Sequence, residues 1–320
     1  MNVKRAVENQ ISIFNNLKQA KLHNRLSHAY LFYGDEGVGK KEMAYALACL
    51  LYCPNDGCLE CETCKSILSG NHMNVDYIGV DETKTMISKD QITALQDEFS
   101  KTSLVEGSRI YIVDGIDTAS AAAQNSLLKF IEEPINSTPT IGIFLASELS
   151  NVVTTIISRC ALQHFKAVPM AKSIGMLTEG GIDQLDASLL MSLTNNIDEA
   201  LSIVQTEDFK RIKDLFIEFI SLRKKKDGVV YFIDNASYFS NPKNLSILLK
   251  WILLFIEDSY MVQSNPDGLI LAPLYDKIIM NNKDYNSLKD KLEITLDLSN
   301  RLRYNVSAKN VFHELIAKLI

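Results

Sequence analysis

The sequence has no long apolar run, no internal repeat and no low-complexity tract. Its most apolar stretch, Trp251 to Ile256, lies between Lys250 and Glu257. It is far too short to span a bilayer and is typical of a buried helix. The N-terminus is polar and is interrupted by Asn and Lys, unlike a secretory signal. We therefore expect a cytoplasmic protein, in which cysteines are thiols or metal ligands rather than disulfides.

The chain also has no excess of positive charge. Its 33 Lys and Arg against 39 Asp and Glu give a net charge of −6 at pH 7. This balance argues against a free-standing nucleic-acid binder that relies on a broad basic surface, although a local DNA contact inside an assembly is compatible with it. The strongest basic cluster, residues 223–226, is typical of a solvated helix end.

The remaining composition is that of an ordinary globular protein, with 320 residues of which 47% are apolar and 22% charged. A chain of this length predicts two or three domains. Three apolar runs in the first half predict strands at Ala29–Tyr33, Arg109–Asp114 and Ile141–Ala146, and helical spacing separates them. Strands this apolar predict an α/β domain with a parallel sheet covered on both faces.

The second half predicts helices instead of strands. Strand patterns fade after about residue 166, and apolar residues recur at three- and four-residue spacing. The predicted helices are Asp198–Val204, Asp208–Lys225, Asn244–Met261 and Leu288–Arg303. We predict three domains: a sheet domain at 1–166, a small helical domain at 167–206 and a helical C-terminal domain at 207–320.

A glycine-rich loop follows the first predicted strand and precedes a helix. Gly34, Gly37, Gly39 and Lys40 fit the pattern G-x-x-x-x-G-K of a phosphate-binding loop. The next residue is Lys41, where a Ser or Thr hydroxyl would hold Mg²⁺. Lysine offers no acceptor to a cation and adds positive charge at that position. Two alternatives remain open, namely a retained turn that binds nothing and weak nucleotide binding without hydrolysis.

Four cysteines lie within twelve positions of one another. They are Cys53, Cys58, Cys61 and Cys64. Pairs at this spacing bring thiolates to one point, and four thiolates satisfy tetrahedral Zn²⁺ without leaving an open position, so the pattern predicts a structural zinc site. Cys49 and Cys160 are predicted to be packed thiols outside that site.

These motifs together resemble the delta-prime subunit family of the bacterial DNA polymerase III clamp loader, which belongs to the AAA+ proteins. The resemblance covers about the first half of the chain and is looser in the C-terminal third. The segments that carry it are Arg25–Leu31, the glycine-rich loop, the cysteine cluster, Gln124–Pro134, Thr155–Cys160 and, loosely, Asn305–Asn310.

The resemblance implies an AAA+ sheet domain with an inserted zinc module at 53–64, a helical lid at 167–206 and a collar at 207–320. Such a subunit would join a five-subunit ring with gamma/tau and delta and would help to load the sliding clamp onto primed DNA. The resemblance also makes Arg159, in the segment Ser158–Cys160, an arginine finger acting on a neighbouring ATPase subunit.

One alternative is an ATPase subunit of the gamma/tau type. Lys41 argues against it, and so does Gly115, which follows Asp114 where the ATPase relatives are expected to have a glutamate. In the segment Asn195–Leu201, Asp198 falls where a phosphate-sensing arginine is expected, and Ser147 falls near a polar sensor position. The second alternative is a free-standing zinc-containing DNA-binding protein, which the negative charge disfavours.

Overall fold

The computed structural model describes residues 2–80, 86–100, 107–132, 139–281, 285–304 and 306–320. Glu133, Pro134 and Asn305, which belong to the segments of the resemblance, lie outside these ranges. The chain divides into two compact units, Met1–Val168 and Pro169–Ile320. The further division of the second unit at about residue 206 stays a prediction.

The first unit is built on a five-stranded sheet with the strand order β2-β3-β4-β1-β5. Every pair of neighbouring strands is parallel. The strands are β1 (Ala29–Tyr33), β2 (Val75–Gly79), β3 (Arg109–Asp114), β4 (Thr140–Ala146) and β5 (Ala161–His164). The prediction of a parallel α/β domain is confirmed. The sequence analysis missed β2 and β5, which are short, partly exposed edge strands without a continuous apolar run.

Helices cover both faces of this sheet. They are α1 (Val3–Asn9), α2 (Ile11–Leu22), α3 (Lys40–Tyr52), α4 (Glu62–Leu68), α5 (Lys89–Ser100), α6 (Ala121–Ser126), α7 (Leu128–Glu132) and α8 (Thr154–Ile157). Successive strand residues point to opposite faces, so Phe32 and Ile112 belong to one apolar cluster whereas Leu31 and Val113 belong to another. This double burial explains why the central strands are apolar throughout.

The second unit is helical throughout its described residues. Its helices are α9 (Met170–Glu179), α10 (Gln184–Leu193), α11 (Ile197–Val204), α12 (Glu207–Phe219), α13 (Lys225–Asn235), α14 (Pro242–Met261), α15 (Tyr275–Asn281), α16 (Tyr285–Arg303) and α17 (Ala308–Leu319). Side chains of Asp183, Asn196, Thr206 and Asn241 cap the starts of four of them. The predicted helix Asp208–Lys225 was wrong at its end, because α12 stops at Phe219 and a separate helix starts at Lys225.

Trp251 lies at the centre of the helical core. Its side chain is fully buried, and its indole nitrogen donates to the Ser192 hydroxyl at 3.0 Å and to the Leu189 carbonyl at 3.3 Å. The rings of Phe209 and Phe216 pack edge-on against it. Helices from both predicted helical domains therefore share one core. In the described part of the chain, no helix combines the length and apolar character needed to cross a membrane.

Gly142 in β4 has a packing role that predicts the effect of a substitution. A Cβ at this position would clash with the ring of Tyr111, which packs among Phe99, Phe130 and Phe144, so the ring or the strand would have to shift. We expect Gly142→Ala to destabilise the first unit by about 1–3 kcal/mol, the usual cost of overpacking. Calorimetric melting measures this.

Gly175 provides a control of opposite sign. It lies inside α9, and a Cβ there would meet no atom within 4 Å. Gly175→Ala should therefore stabilise the second unit by about 0.5–1 kcal/mol through helix propensity. Equal stability of Gly142→Ala and the wild type would contradict the packing argument.

Candidate functional site

The glycine-rich loop connects β1 to α3, as the sequence predicts. Gly34, Gly37 and Gly39 have φ values of +143°, +76° and +93°, a region that side chains rarely adopt. A Cβ on Gly34 would also clash with the backbone oxygen of Phe165. The loop conformation therefore requires glycine at these positions, and its last glycine starts α3.

Lys40 is folded into its own loop. Its side chain is 9% exposed, and its Nζ donates to the carbonyl oxygens of Gly34 at 2.5 Å and Asp35 at 2.7 Å. Burial lowers the pKa of Lys40, while the nearby carboxylates of Asp114 and Asp117 act in the opposite direction. Loop carbonyls thus accept the hydrogen bonds that a phosphate would receive from this ammonium.

Lys41 forms a chain of contacts that ends on Asp114. Its Nζ donates to the Tyr77 hydroxyl at 2.7 Å and lies 3.9 Å from the centre of that ring. The Tyr77 hydroxyl in turn donates to Oδ2 of Asp114 at 2.7 Å, and the Lys41 Nζ lies 4.0 Å from the same oxygen. Burial, and then the adjacent Asp114 carboxylate, raise the pKa of Tyr77 well above its usual value. An ammonium therefore lies beside the carboxylate at the end of β3.

The residues after Asp114 complete this edge of the sheet. Gly115 has φ +89°, so a glutamate there would be strained by roughly 1–2 kcal/mol. Asp117 accepts from the backbone amides of Ser147 at 3.0 Å and Glu148 at 2.8 Å and fixes the turn after β4. Ser147 is thereby held by its backbone at the same edge as Asp114.

The cysteine cluster has the geometry of a four-thiolate metal site. The Sγ atoms of Cys53, Cys58, Cys61 and Cys64 all lie within 4.8 Å of one another. Cys53 Sγ is 3.6 Å from the sulfurs of both Cys58 and Cys61. Zinc–sulfur bonds of about 2.3 Å give a tetrahedral edge of about 3.8 Å, so these residues fit zinc. All six cysteines of the chain are free.

The cluster is tied to the rest of the first unit through its turn. Asp56 pairs with Lys21 at 3.3 Å and with Lys18 at 3.4 Å, and these two lysines, Lys21 first, lower its pKa. Lys21 also donates to the Leu50 carbonyl at 2.7 Å. Cys49 is fully buried, and burial raises its pKa to about 11, as expected of a packed thiol outside the cluster.

Arg159 is paired within its own chain. Its Nε donates to Oε1 of Glu132, and its Nη1 donates to the Thr155 carbonyl at 2.9 Å and to the Ser158 hydroxyl at 3.4 Å. Its side chain is 36% exposed. Cys160, next in sequence, is half-buried, and burial raises its pKa to about 12.

Asp198 is located in the other unit. It lies in the first turn of α11, where the Asn196 side chain accepts from its backbone amide at 2.9 Å. A carboxylate at this helix position is favoured by the backbone amides of the first turn. Stabilisation of the start of α11 is therefore enough to explain an aspartate at position 198.

The sequence analysis missed three residues that the structure joins to these sites: Tyr77, Asp117 and Glu132. Tyr77 is on an edge strand that was not predicted, and it reaches Lys41 and Asp114 only because β2 pairs with β3. Asp117 lies three residues after Asp114, and this closeness in sequence was the only feature that could have indicated a role at this site. Glu132 belonged to a quoted motif but carried no assigned role.

Comparison with known proteins agrees with the arrangement of these motifs. The family model described as "DNA polymerase III, delta subunit" matches residues 9–169. The DNA polymerase III subunit delta' of Bacillus subtilis is 32% identical over 305 residues, which cover 92% of each chain. This chain belongs to the delta-prime family of DNA polymerase III subunits.

A relative among the tau subunits matches about half of this delta-prime family member. The tau subunit of Bacillus subtilis is 31% identical over 177 residues, which are 54% of this chain and 31% of the length of that protein. Among solved structures, a gamma subunit-related DNA polymerase III protein of Thermotoga maritima aligns over 95% of this chain and 97% of its own. Its TM-score is 0.48 and its identity is 16%.

The cysteine geometry predicts one zinc ion per chain in this delta-prime family member. Cys61→Ser should abolish stoichiometric zinc in protein purified without chelator, because one thiolate of the tetrahedral set is lost. Loss of a structural metal costs about 4 kcal/mol or more, so the melting temperature of the first unit should fall by roughly 10 °C. Elemental analysis and calorimetry measure these two effects.

Cys160→Ala is the matched control, because it removes a cysteine outside the cluster. It should keep one zinc per chain. A metal-free wild-type protein, or one whose melting temperature does not change when zinc is removed, would show that the cluster holds no structural metal.

Proposed function

We propose that this chain is a clamp-loader subunit that does not hydrolyse nucleotide and that assists a neighbouring ATPase subunit. The contact of Lys41 with Tyr77 and Asp114 carries this proposal, because it engages the carboxylate that a catalytic metal would need. Phosphoryl transfer requires a metal on the phosphates and a group that orients the attacking water. Lys41 opposes the first requirement, and Gly115 cannot supply the second.

The position of Arg159 in the sheet supports a role on another chain. Arg159 precedes β5, whereas the glycine-rich loop follows β1, and these two strands are parallel neighbours with Tyr30 opposite Ala161 and Tyr33 opposite His164. The arginine and the loop thus lie at opposite ends of these two strands. The rise per residue along a strand separates them by roughly 15–20 Å. An arginine side chain does not span that distance, so a phosphate at Arg159 would belong to a neighbouring subunit.

The rest of the proposal follows from membership of the delta-prime family and from the resemblance on which the sequence analysis rests. The chain would assemble with gamma/tau and delta subunits in the cytoplasm and help to load the sliding clamp onto primed DNA. The sheet domain at 1–166 would carry the zinc module and Arg159, the segment 167–206 would act as a lid, and the segment 207–320 would form a collar. Any nucleotide held by Gly34, Gly37, Gly39 and Lys40 would stay intact.

We expect the isolated chain to have no ATPase activity above background. Lys41→Thr alone should not restore turnover, since Gly115 still leaves the attacking water without an orienting carboxylate. Phosphate release from purified protein measures this, with Lys40→Ala as the control for any contaminating activity. Steady turnover that disappears in Lys40→Ala would instead support the gamma/tau-type alternative.

The same preparation tests the DNA-binding alternative. Tight binding to duplex DNA by the chain without partners would favour a free-standing zinc-containing DNA-binding protein. We expect such binding to be weak, because the net charge of −6 repels the phosphate backbone.

Arg159→Ala should leave folding and assembly intact while clamp-dependent ATP turnover and clamp loading fall. A trans arginine contributes about 10³–10⁵ in rate in other phosphoryl-transfer systems. The fall in total turnover will be smaller here, because only one ATPase site of the ring would face this subunit. Arg159→Lys should rescue poorly, since an ammonium lacks the planar fork of the guanidinium.

Arg301→Ala is a suitable control. Arg301 has a similar exposure of 37% and is also ion-paired, with Glu314 at 2.8 Å. Its loss should not change turnover in assembled loader. If Arg159→Ala assembled normally and loaded clamps at the wild-type rate, the trans role would be wrong.

A further inference from the structure

The contacts of Arg159 divide its guanidinium into anchored and available nitrogens. Nε donates to Glu132, and Nη1 donates to the Thr155 carbonyl and the Ser158 hydroxyl. Among the residues that the structure describes, Nη2 has no hydrogen-bond partner. A guanidinium held at two nitrogens has a fixed plane, and its third nitrogen can still donate to an oxyanion.

The segments that carry Glu132 and Arg159 are joined by a buried glutamine. Gln124 is 1% exposed; its Nε2 donates to the Asn151 carbonyl at 2.9 Å, and its Oε1 accepts from the Val153 amide at 2.8 Å. These two bonds tie α6, just before α7 and Glu132, to the segment that leads into α8 and Arg159. Glu132 and Arg159 therefore belong to segments that buried hydrogen bonds join, rather than to two unconnected loops.

We propose that Glu132 is a positioning residue for Arg159. By accepting from Nε, its carboxylate selects one orientation of a partly exposed side chain whose three methylene groups would otherwise sample many rotamers, and it leaves Nη2 available. The inference rests on the proposed trans role of Arg159. Because both side chains are partly exposed, water screens the pair, and the carboxylate orders the guanidinium without cancelling its attraction to phosphate.

Positioning of this kind predicts a loss in rate rather than in nucleotide affinity. A disordered Arg159 side chain can still contact the phosphoryl group in the transition state. It must first lose conformational entropy, and this cost lowers kcat. The ordering contributed by an exposed ion pair corresponds to roughly a two- to five-fold change in rate. This is far less than the effect expected for removing Arg159 itself.

The first test uses the isolated full chain and does not depend on activity. Side-chain NMR should show an ordered Arg159 Nε–H group in the wild type and a mobile one in Glu132→Ala. Glu132→Gln should keep the order, because a carboxamide oxygen also accepts from Nε. Glu207→Gln, which removes the acid of another exposed ion pair, should leave the Arg159 signal unchanged.

The second test uses the reconstituted loader and measures ATP turnover. Glu132→Ala should lower kcat with little change in KM, and the fall in total turnover should be smaller than the roughly two- to five-fold change at the one site that faces this subunit. Glu132→Gln should recover most of the loss, and Glu207→Gln should match the wild type. In an Arg159→Ala background, Glu132→Ala should have no further effect, because a positioning residue acts only through the residue that it positions.

The outcomes separate this inference from the function on which it rests. If Arg159→Ala impaired turnover while Glu132→Ala equalled or exceeded the wild type, the positioning role would be wrong and the trans role would stand. If Arg159→Ala had no effect on turnover, both would be overturned. A mobile wild-type Arg159 side chain would overturn the positioning role alone.

Discussion

The parallel alignment of the strands is the constraint that positions both the glycine-rich loop and Arg159. Because β1, β3 and β4 run in one direction, the glycine-rich loop, Asp114 and Ser147 all emerge at the same edge of the sheet. Because β5 is parallel to β1, Arg159, which precedes β5, lies at the opposite end of the strands. One topology therefore gathers the elements of a phosphate site and, at the same time, keeps the chain's own arginine away from it.

Local patterns predicted those parts of the fold that depend on neighbours in sequence. The three central strands, the loop glycines and the cysteine spacing are all readable because burial on two faces, positive φ and metal geometry each restrict residue type directly. The edge strands were missed because half-exposed residues such as Leu162 give no continuous apolar run. The end of α12 was misplaced because apolar residues continue past Phe219 into the turn that follows it.

The contacts within the sites could not be predicted from spacing. Lys41 pointed to the loss of a metal ligand, but its bond to Tyr77 depends on β2 lying next to β3, which the sequence analysis did not foresee. Glu132 and Arg159 are 27 residues apart, and the segments that carry them are joined by hydrogen bonds of Gln124. The type of a residue is readable from the sequence, whereas the side chain that it contacts depends on how distant segments pack in the fold.

Lys41 and Gly115, which stand where ATPase relatives are expected to have a hydroxyl and a glutamate, are compatible with each other in the structure. Lys41 is stabilised beside Asp114 through Tyr77, and Gly115 allows the backbone after Asp114 to turn with positive φ. Restoring a hydroxyl at position 41 would remove the ammonium but leave this backbone in place, and a glutamate at position 115 would be strained in it. On the proposed function, a hydrolytic site here would require coordinated changes in side chain and backbone, while Arg159, at the other end of the strands, would be unaffected by any of them.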